Sequence, residues 1–150
     1  MICQHSTTSS FKDTVFNIYR ALSSSTFSKP HSVFLEDFNS FLSIAATTPH
    51  EFIINGDFNI HLDNPADHFT SQFLSLLSSF NLAQHVSFPT HDKNHILDLV
   101  TTYTSLAPAV SLTHRSPSDH FPVFTKLSIN PTPLPPPTLH SFQRFHSINI

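Results

Sequence analysis

The sequence predicts an α/β fold, in which strands and helices alternate along one chain. Two segments with apolar residues three and four positions apart predict amphipathic helices, and short apolar runs between them predict strands. The length of 150 residues suits a single domain with enough apolar residues for a core. The formal net charge of −3 provides no general positive field for nucleic acid, so any such contact would have to be local.

The first part of the chain is expected to contain one strand and one helix. Residues 1–10 are predicted to be a polar leader without the apolar core of a signal peptide, and residues 15–19 a short strand. A serine-rich loop at 21–29 follows. Pro30 suits the first turn of a helix that continues to about residue 47, where a Thr-Pro step ends it.

The middle of the chain is expected to hold the rest of the sheet and a second helix. Residues 52–54 are entirely apolar, which indicates a strand buried on both faces. A loop follows, and Asp67 is a plausible N-cap for a helix that ends near Phe80. The remaining strands are predicted at residues 85–88, 96–101 and 121–129, with a polar turn at 89–94.

Composition also predicts how the chain is divided. Residues 11–129 form the expected domain, and residues 130–150 begin with a proline-rich segment that predicts a linker and an unstructured tail. Cys3 is the only cysteine, which excludes an internal disulfide. A lone cysteine also fits a reducing compartment, in which no disulfide-linked partner is expected. No segment approaches the ~20 apolar residues of a membrane span, so no membrane partner is expected. The oligomeric state is left open.

The most informative local feature is the end of the strand near residue 54. Gly56 is the only glycine in the chain and immediately precedes Asp57. Glycine lets a backbone turn tightly or approach another group closely. Asp57 and Asn59 are two residues apart, which directs both to the same side of an extended backbone. A carboxylate beside an amide can hold a hard cation, a water or a phosphate oxygen.

Two later segments repeat this pattern. Asp98 lies inside an apolar, β-prone run, and the pair Asp119-His120 directly precedes another apolar run. A polar residue inside an apolar segment is costly unless it is paired. Three such interruptions in a short chain predict one shared site.

In this order and at these separations, the motifs resemble the endonuclease/exonuclease/phosphatase (DNase I-like) superfamily. The resemblance is closer to the apurinic-type endonuclease domain of non-LTR (LINE-like) retrotransposons, and it extends over residues 16–129. The residues that carry it are Gly56, Asp57, Asn59, Asp98, Asp119 and His120, with Tyr19 and Arg20 resembling the tyrosine segment of the family. The resemblance implies a four-layer α/β/β/α sandwich and metal-dependent cleavage of DNA, in the nucleus if the protein is functional.

The resemblance also implies roles for the matching residues. Asp57 would align or deprotonate the attacking water. His120, oriented by Asp98, would contact the phosphate or act in proton transfer. These roles agree with elementary chemistry, because a histidine held by a carboxylate has a fixed orientation and favours its protonated form.

Further roles concern the phosphate and the metal. The resemblance implies that Asn59 holds the scissile phosphate and that Tyr19 donates a hydrogen bond to it. Asp119 and Asp57 would bind a divalent cation, Mg²⁺ in this family. Phosphodiester cleavage needs such a cation, or fixed donors, to take up the charge that develops on the phosphoryl oxygens.

The sequence departs from the family pattern at its start. The family fold begins with a strand bearing an asparagine and a strand bearing a glutamate that ligates the metal, and nothing before Tyr19 matches either strand. The only glutamates, Glu36 and Glu51, lie in other segments. We therefore expect a partial sandwich missing its N-terminal strands, weak or absent Mg²⁺ binding, and a remnant endonuclease that is inactive as this fragment.

Other interpretations are possible for the same residues. The chain could be a degenerate, non-enzymatic module, or a phosphatase of the same superfamily that acts on a small phosphoester. Asp57 and Asn59 could form an ordinary turn, Asp98 could face solvent from an edge strand, and Asp119 with His120 could cap an element. The 12 histidines invite a zinc hypothesis, but their spacings match no compact ligand pair of a structural zinc site.

Overall fold

A computed structural model describes residues 2–7, 14–21, 30–48, 51–106 and 108–128. Strands and helices are interspersed in these ranges, which confirms the α/β class. In chain order the elements are β1 (Ile2–Thr7), β2 (Thr14–Tyr19), α1 (His31–Ala45), β3 (Phe52–Asp57), α2 (His68–Ser79), β4 (Leu82–Gln84), β5 (Asp98–Tyr103), β6 (Ala109–Leu112) and β7 (Val123–Lys126). None of the helices in the described ranges is long and apolar enough to cross a membrane.

Most of the described strands belong to one mixed sheet. Five of them pair in the order β1-β2-β3-β5-β4, and β6 pairs with β7 in a separate two-stranded sheet. The parallel pair is β2 and β3, which α1 connects in the crossover that parallel strands require. The antiparallel register of β3 and β5 sets Asp57 opposite Asp98. Register alone therefore brings together two acids that are 41 positions apart in the sequence.

Strand β3 lies between two hydrophobic cores. Phe52 and Ile54 pack into a core that includes the apolar faces of α1 and α2. Ile53, on the opposite face, packs with Val100 and with Val123 of the second sheet. This alternation follows from the two-residue period of a strand. The described part of the chain thus forms α, β and β layers, and residues 52–54 are buried on both faces, as the sequence predicts.

The two described helices agree closely with the sequence analysis. In α1 the buried residues are Phe34, Phe38, Leu42 and Ala45, spaced three and four apart. Pro30 stands at its N-cap without a side-chain hydrogen bond. In α2 the N-cap is Asp67, whose carboxylate accepts a hydrogen bond from the Thr70 N–H at 2.9 Å.

The strand predicted at residues 85–88 is wrong, and three observed strands, β1, β4 and β6, were not predicted. The chain forms β4 at Leu82–Gln84 and is irregular at 85–88. The His85 N–H donates to the Val100 carbonyl, after which pairing with β5 ends. The Gln84 side chain donates to the Val86 carbonyl at 2.7 Å, which stabilises the irregular segment. β6 was not predicted. β1 occupies the expected polar leader, where its backbone pairs with β2 at the sheet edge. The 130–150 tail and most of the serine-rich loop lie outside the described residues.

Candidate active site

Gly56 allows β2 and β3 to approach closely beside the site. Its φ is +135°, a conformation that residues with a side chain rarely adopt. A Cβ at this position would overlap the backbone oxygen of Ile18 and lie 2.8 Å from Oδ1 of Asn17. The only glycine of the chain is therefore required by close backbone packing directly before Asp57.

Asp57 is held in place by Asn59. Asn59 has a left-handed φ of 49°, and its N–H donates to Asp57 Oδ1 at 3.0 Å. Its side-chain Nδ2 donates to Asp57 Oδ2 at 3.1 Å and to the Arg20 carbonyl at 2.6 Å. An amide nitrogen has two donors, and both are used here. In this arrangement Asn59 positions Asp57, and its amide would have to release one of these bonds to donate to a phosphate.

Arg20 holds the backbone of the turn at Asp57–Asn59, a role that its position in the sequence did not reveal. Its guanidinium is buried between the rings of Phe34 and Phe69, with each ring centroid 5.1 Å away. Its Nη1 donates to the Asn59 carbonyl at 3.0 Å, and its backbone N–H donates to the Asp57 carbonyl at 2.9 Å. Burial lowers the pKa of Arg20, while the charge of Asp57 raises it. In the sequence, the feature that could have indicated this role is the position of Arg20 directly after the predicted strand at 15–19.

Tyr19 lies beside the site without a direct link to it. It is the last residue of β2, next to Arg20, and its side chain is 49% exposed. Within the described ranges it has no hydrogen bond to Asp57 or to the other expected site residues. Its place at the strand end is compatible with contact to a bound substrate, and the role implied by the resemblance remains a prediction.

The expected contact between Asp98 and His120 is present. Asp98 Oδ2 lies 2.8 Å from Nδ1 of His120, which stands in the connection between β6 and β7. Asp57, Asp98 and His120 each offer a ligand atom within 4.8 Å of the other two. The structure therefore brings together residues from three separate segments, as the sequence analysis expected.

Asp119 occupies the other side of His120. Its Oδ2 lies 3.4 Å from Nε2 of His91, and its carbonyl accepts a hydrogen bond from the Asp92 N–H at 2.8 Å. The His91 and His120 rings meet edge to face, with centroids 4.9 Å apart. His91, Asp119 and His120 form a second group within 4.8 Å. The two expected metal ligands, Asp57 and Asp119, thus belong to separate groups that share His120, and the buried His91 is a neighbour that spacing did not reveal.

The electrostatics favour proton transfer at this site. Burial raises the pKa of Asp57, the Asn59 N–H lowers it, and the negative charge of Asp98 raises it again, with a net upward shift. Burial lowers the pKa of His120, but the hydrogen bond and charge of Asp98, and the charges of Asp57 and Asp119, outweigh this and raise it. The carboxylate of Asp57 is therefore a stronger base than usual, and His120 holds its proton to higher pH.

The donor set fits Mg²⁺ only in part. Mg²⁺ prefers octahedral oxygen ligands and is commonly held by one or two carboxylates together with waters and substrate phosphates. The group around Asp57 offers two carboxylates and an imidazole, whereas the group around Asp119 offers one carboxylate and two imidazoles. Both oxygens of Asp57 already accept hydrogen bonds from Asn59. The residues can hold a cation through carboxylates, but few oxygen ligands are available.

Comparison with known proteins identifies a family. A family model described as endonuclease-reverse transcriptase matches residues 14–124, well over half of the chain. No curated protein matches the chain by sequence.

Solved structures show a similar fold. The endonuclease domain of TRAS1, a telomere-specific non-LTR retrotransposon, is 18% identical with a TM-score of 0.61, and the match covers 84% of this chain and 61% of that one. CdtB, the biologically active subunit of cytolethal distending toxin, is 17% identical with a TM-score of 0.53, covering 84% and 51%. The mannosyl-6-phosphatase Bt3783 of Bacteroides thetaiotaomicron is 18% identical with a TM-score of 0.50, covering 81% and 53%. The chain therefore has a DNase I-like fold and spans less than two thirds of each of these structures.

Proposed function

Since the chain belongs to the endonuclease-reverse transcriptase family, we propose that its site acts on a phosphodiester bond of DNA. The observation that carries this proposal is the convergence of Asp57, Asp98 and His120 at the ends of β3, β5 and the β6–β7 connection. The fold is shared by endonucleases and phosphatases, which supports a phosphoester as the substrate.

The proposed step is hydrolysis by water. Asp57, whose raised pKa makes it a better base, takes a proton from water as the water oxygen bonds to phosphorus. The bond from phosphorus to the leaving oxygen breaks, and that oxygen receives a proton from His120, whose raised pKa favours the protonated imidazolium. Asp98 holds the His120 ring in position for this transfer. Asn59 orients the Asp57 carboxylate.

A divalent cation would balance the negative charges of the phosphate and of the site carboxylates. Bound Mg²⁺ would take up negative charge on the phosphoryl oxygens. Asp57 and the exposed Asp119 would hold it together with waters and the substrate, and because they belong to separate groups around His120, their side chains would have to approach each other. Tyr19 would donate a hydrogen bond to the phosphate. With so few protein oxygens the affinity for Mg²⁺ is expected to be weak, in the millimolar range or weaker.

The activity of this chain is expected to be low or absent. Its two glutamates are Glu36, on α1, and Glu51, whose side chain accepts a hydrogen bond from Ser105 Oγ at 2.9 Å. Neither belongs to the groups around His120. Each 1.36 kcal/mol of lost transition-state stabilisation costs about tenfold in rate, so a site without the glutamate ligand that the resemblance implies should cleave slowly.

Plasmid nicking tests the proposal. The chain alone in Mg²⁺ should nick supercoiled DNA very slowly or not at all, and fusion to the N-terminal strands of a related endonuclease domain should restore nicking. Asp57→Ala and His120→Ala should each abolish the restored activity by removing the base or the acid. His68→Ala, an exposed histidine on α2, serves as the matched control and should retain it.

Three outcomes would contradict the proposal. Restored nicking that survives Asp57→Ala would show that the site lies elsewhere. A fusion that releases phosphate from a small phosphomonoester but leaves plasmid intact would favour the phosphatase alternative. A folded fusion that binds no DNA and cleaves neither substrate would favour a non-enzymatic module.

A further inference from the structure

A second cluster of metal-ligating side chains lies apart from the candidate active site. It is formed by His61 and Asp63, in the loop after β3, and by His95, in the segment before β5. Asp63 Oδ2 is 3.0 Å from Nδ1 of His95, and Asp63 Oδ1 is 4.0 Å from Nδ1 of His61. The two imidazole rings meet edge to face, with centroids 4.3 Å apart.

We propose that His61, Asp63 and His95 bind a transition-metal cation, with Zn²⁺ as the fitting ion. Each residue offers one ligand atom within 4.8 Å of the others, so small side-chain movements would bring all three to the ligand distances of about 2.0–2.2 Å that Zn²⁺ prefers. Two imidazole nitrogens and one carboxylate oxygen suit Zn²⁺ and disfavour Mg²⁺, which selects oxygen. A water would fill the fourth tetrahedral position, because the cluster is partly exposed.

The backbone around the cluster is already held in place. The Ile96 N–H donates to Asp63 Oδ1 at 2.9 Å, which orients the carboxylate and leaves Oδ2 directed at His95. The carbonyl of His95 accepts hydrogen bonds from the N–H groups of Thr90 and His91 at 2.9 and 3.1 Å. Outer-shell hydrogen bonds of this kind orient metal ligands and raise affinity.

A metal ion bound here would stabilise the backbone of the candidate active site without taking part in the proposed hydrolysis. The Leu62 N–H donates to the Ile96 carbonyl and the Phe58 N–H to the Leu97 carbonyl, so the two segments run side by side between the cluster and the site. Asn59 stands in one segment, and Asp98 begins the strand that follows the other. A cation that joins His61 and Asp63 to His95 would fix the separation of the segments that carry Asp57 and Asp98.

Calorimetric titration of the whole chain with Zn²⁺ tests this proposal. The wild type should bind Zn²⁺ saturably. His61→Ala, His95→Ala and Asp63→Asn should each abolish binding of one Zn²⁺ or lower the affinity for it at least tenfold. Loss of even an outer-shell partner lowers metal affinity about 10–100-fold, and loss of a ligand should cost at least as much. His91→Ala and His120→Ala are matched controls that should keep this site. Circular dichroism of every variant, with and without metal, excludes loss through unfolding.

Two results would overturn the proposal. One is the absence of saturable Zn²⁺ binding by the folded wild type. The other is a loss of Zn²⁺ that follows His91→Ala or His120→Ala but not the cluster variants, which would place the ion at the candidate active site. Cobalt gives a second readout, because tetrahedral Co²⁺ absorbs visible light far more strongly than octahedral Co²⁺, and the cluster variants should lose this absorption. Since both readouts report binding, they are independent of whether the chain cleaves DNA.

Discussion

His120 is the residue whose chemistry depends most on its neighbours. Its Nδ1 contacts Asp98, while Asp57 and Asp119 add negative charge from further away. These groups stabilise the imidazolium, so the raised pKa follows from the positions of three acids that come from different segments. The direction of the shift has a consequence for stability as well as for catalysis.

Removal of the Asp98 charge should reduce the upward shift of the His120 pKa. In Asp98→Asn the pKa of His120 should fall below its wild-type value, because its largest upward contribution is lost while the lowering effect of burial stays. A histidine with a raised folded-state pKa contributes stability that is fully present below the unfolded value, 6.5, and is lost as pH rises through the folded pKa. The wild type should therefore lose this stability above pH 6.5, and Asp98→Asn should lose less stability over the same pH range.

NMR titration of the imidazole Cε1–H signal measures the pKa, and urea unfolding across the same pH range measures the stability. Glu36→Gln, which removes a carboxylate on α1, is the control and should leave both curves unchanged. An unchanged His120 titration in Asp98→Asn would contradict the assigned cause.

At the scale of elements, the start of β5 depends on a single hydroxyl. Thr90 is fully buried, and its Oγ1 accepts hydrogen bonds from the N–H groups of Leu97 and Asp98, both at 3.0 Å. Its carbonyl accepts from the Phe121 N–H at 2.8 Å, which ties the same residue to the segment that carries His120. Thr90 therefore sets the relative positions of the start of β5 and of the β6–β7 connection, which supply Asp98 and His120 to the site.

Thr90→Val should destabilise the fold and loosen the start of β5. The substitution keeps the shape but removes the acceptor for two N–H groups, at a cost of about 2 kcal/mol in the free energy of unfolding. Thr90→Ser keeps the hydroxyl and should cost about 1 kcal/mol for the lost methyl group. Urea unfolding measures both, and hydrogen exchange should quicken at Leu97 and Asp98 only in Thr90→Val. Equal losses in the two variants would show that the hydroxyl is not what matters.

At the scale of the whole molecule, phenylalanines hold the helical layer on the sheet. Phe38 of α1 is fully buried, and its ring centroid lies 5.7 Å from that of Phe58 and 5.5 Å from that of Phe73 on α2. It therefore links both helices to the residue between Asp57 and Asn59. The contact between Phe38 and Phe58 therefore connects the hydrophobic core to the candidate active site.

Phe38→Ala should reduce global stability strongly. Truncation of a buried phenylalanine costs about 3–5 kcal/mol, because transfer energy is lost and a cavity remains. Phe124→Ala is the matched control, since Phe124 is 57% exposed on β7 and its truncation should cost less than about 1 kcal/mol. Equilibrium unfolding in denaturant measures both values. Similar losses at the two positions would indicate that the helical layer contributes little to the fold.

Local sequence pattern was sufficient for features whose cause is local. Both described helices follow from apolar spacing, and the Asp67 cap follows from residue type and position, since each depends on contacts within a few residues. The buried strand before Gly56 is recognisable because it is apolar throughout. Asp57, Asp98 and His120 could be grouped because each interrupts an apolar run, although their roles in hydrolysis remain a proposal.

Tertiary structure decided everything that depends on pairing between distant segments. β1 was missed because an edge strand needs only backbone partners and has no apolar pattern to reveal it. Asp119 meets His91 rather than Asp57, and Arg20 supports the Asp57 turn, because register and helix packing place them there. His61, Asp63 and His95 have no informative spacing, since the two segments that carry them meet only when β3 and β5 pair.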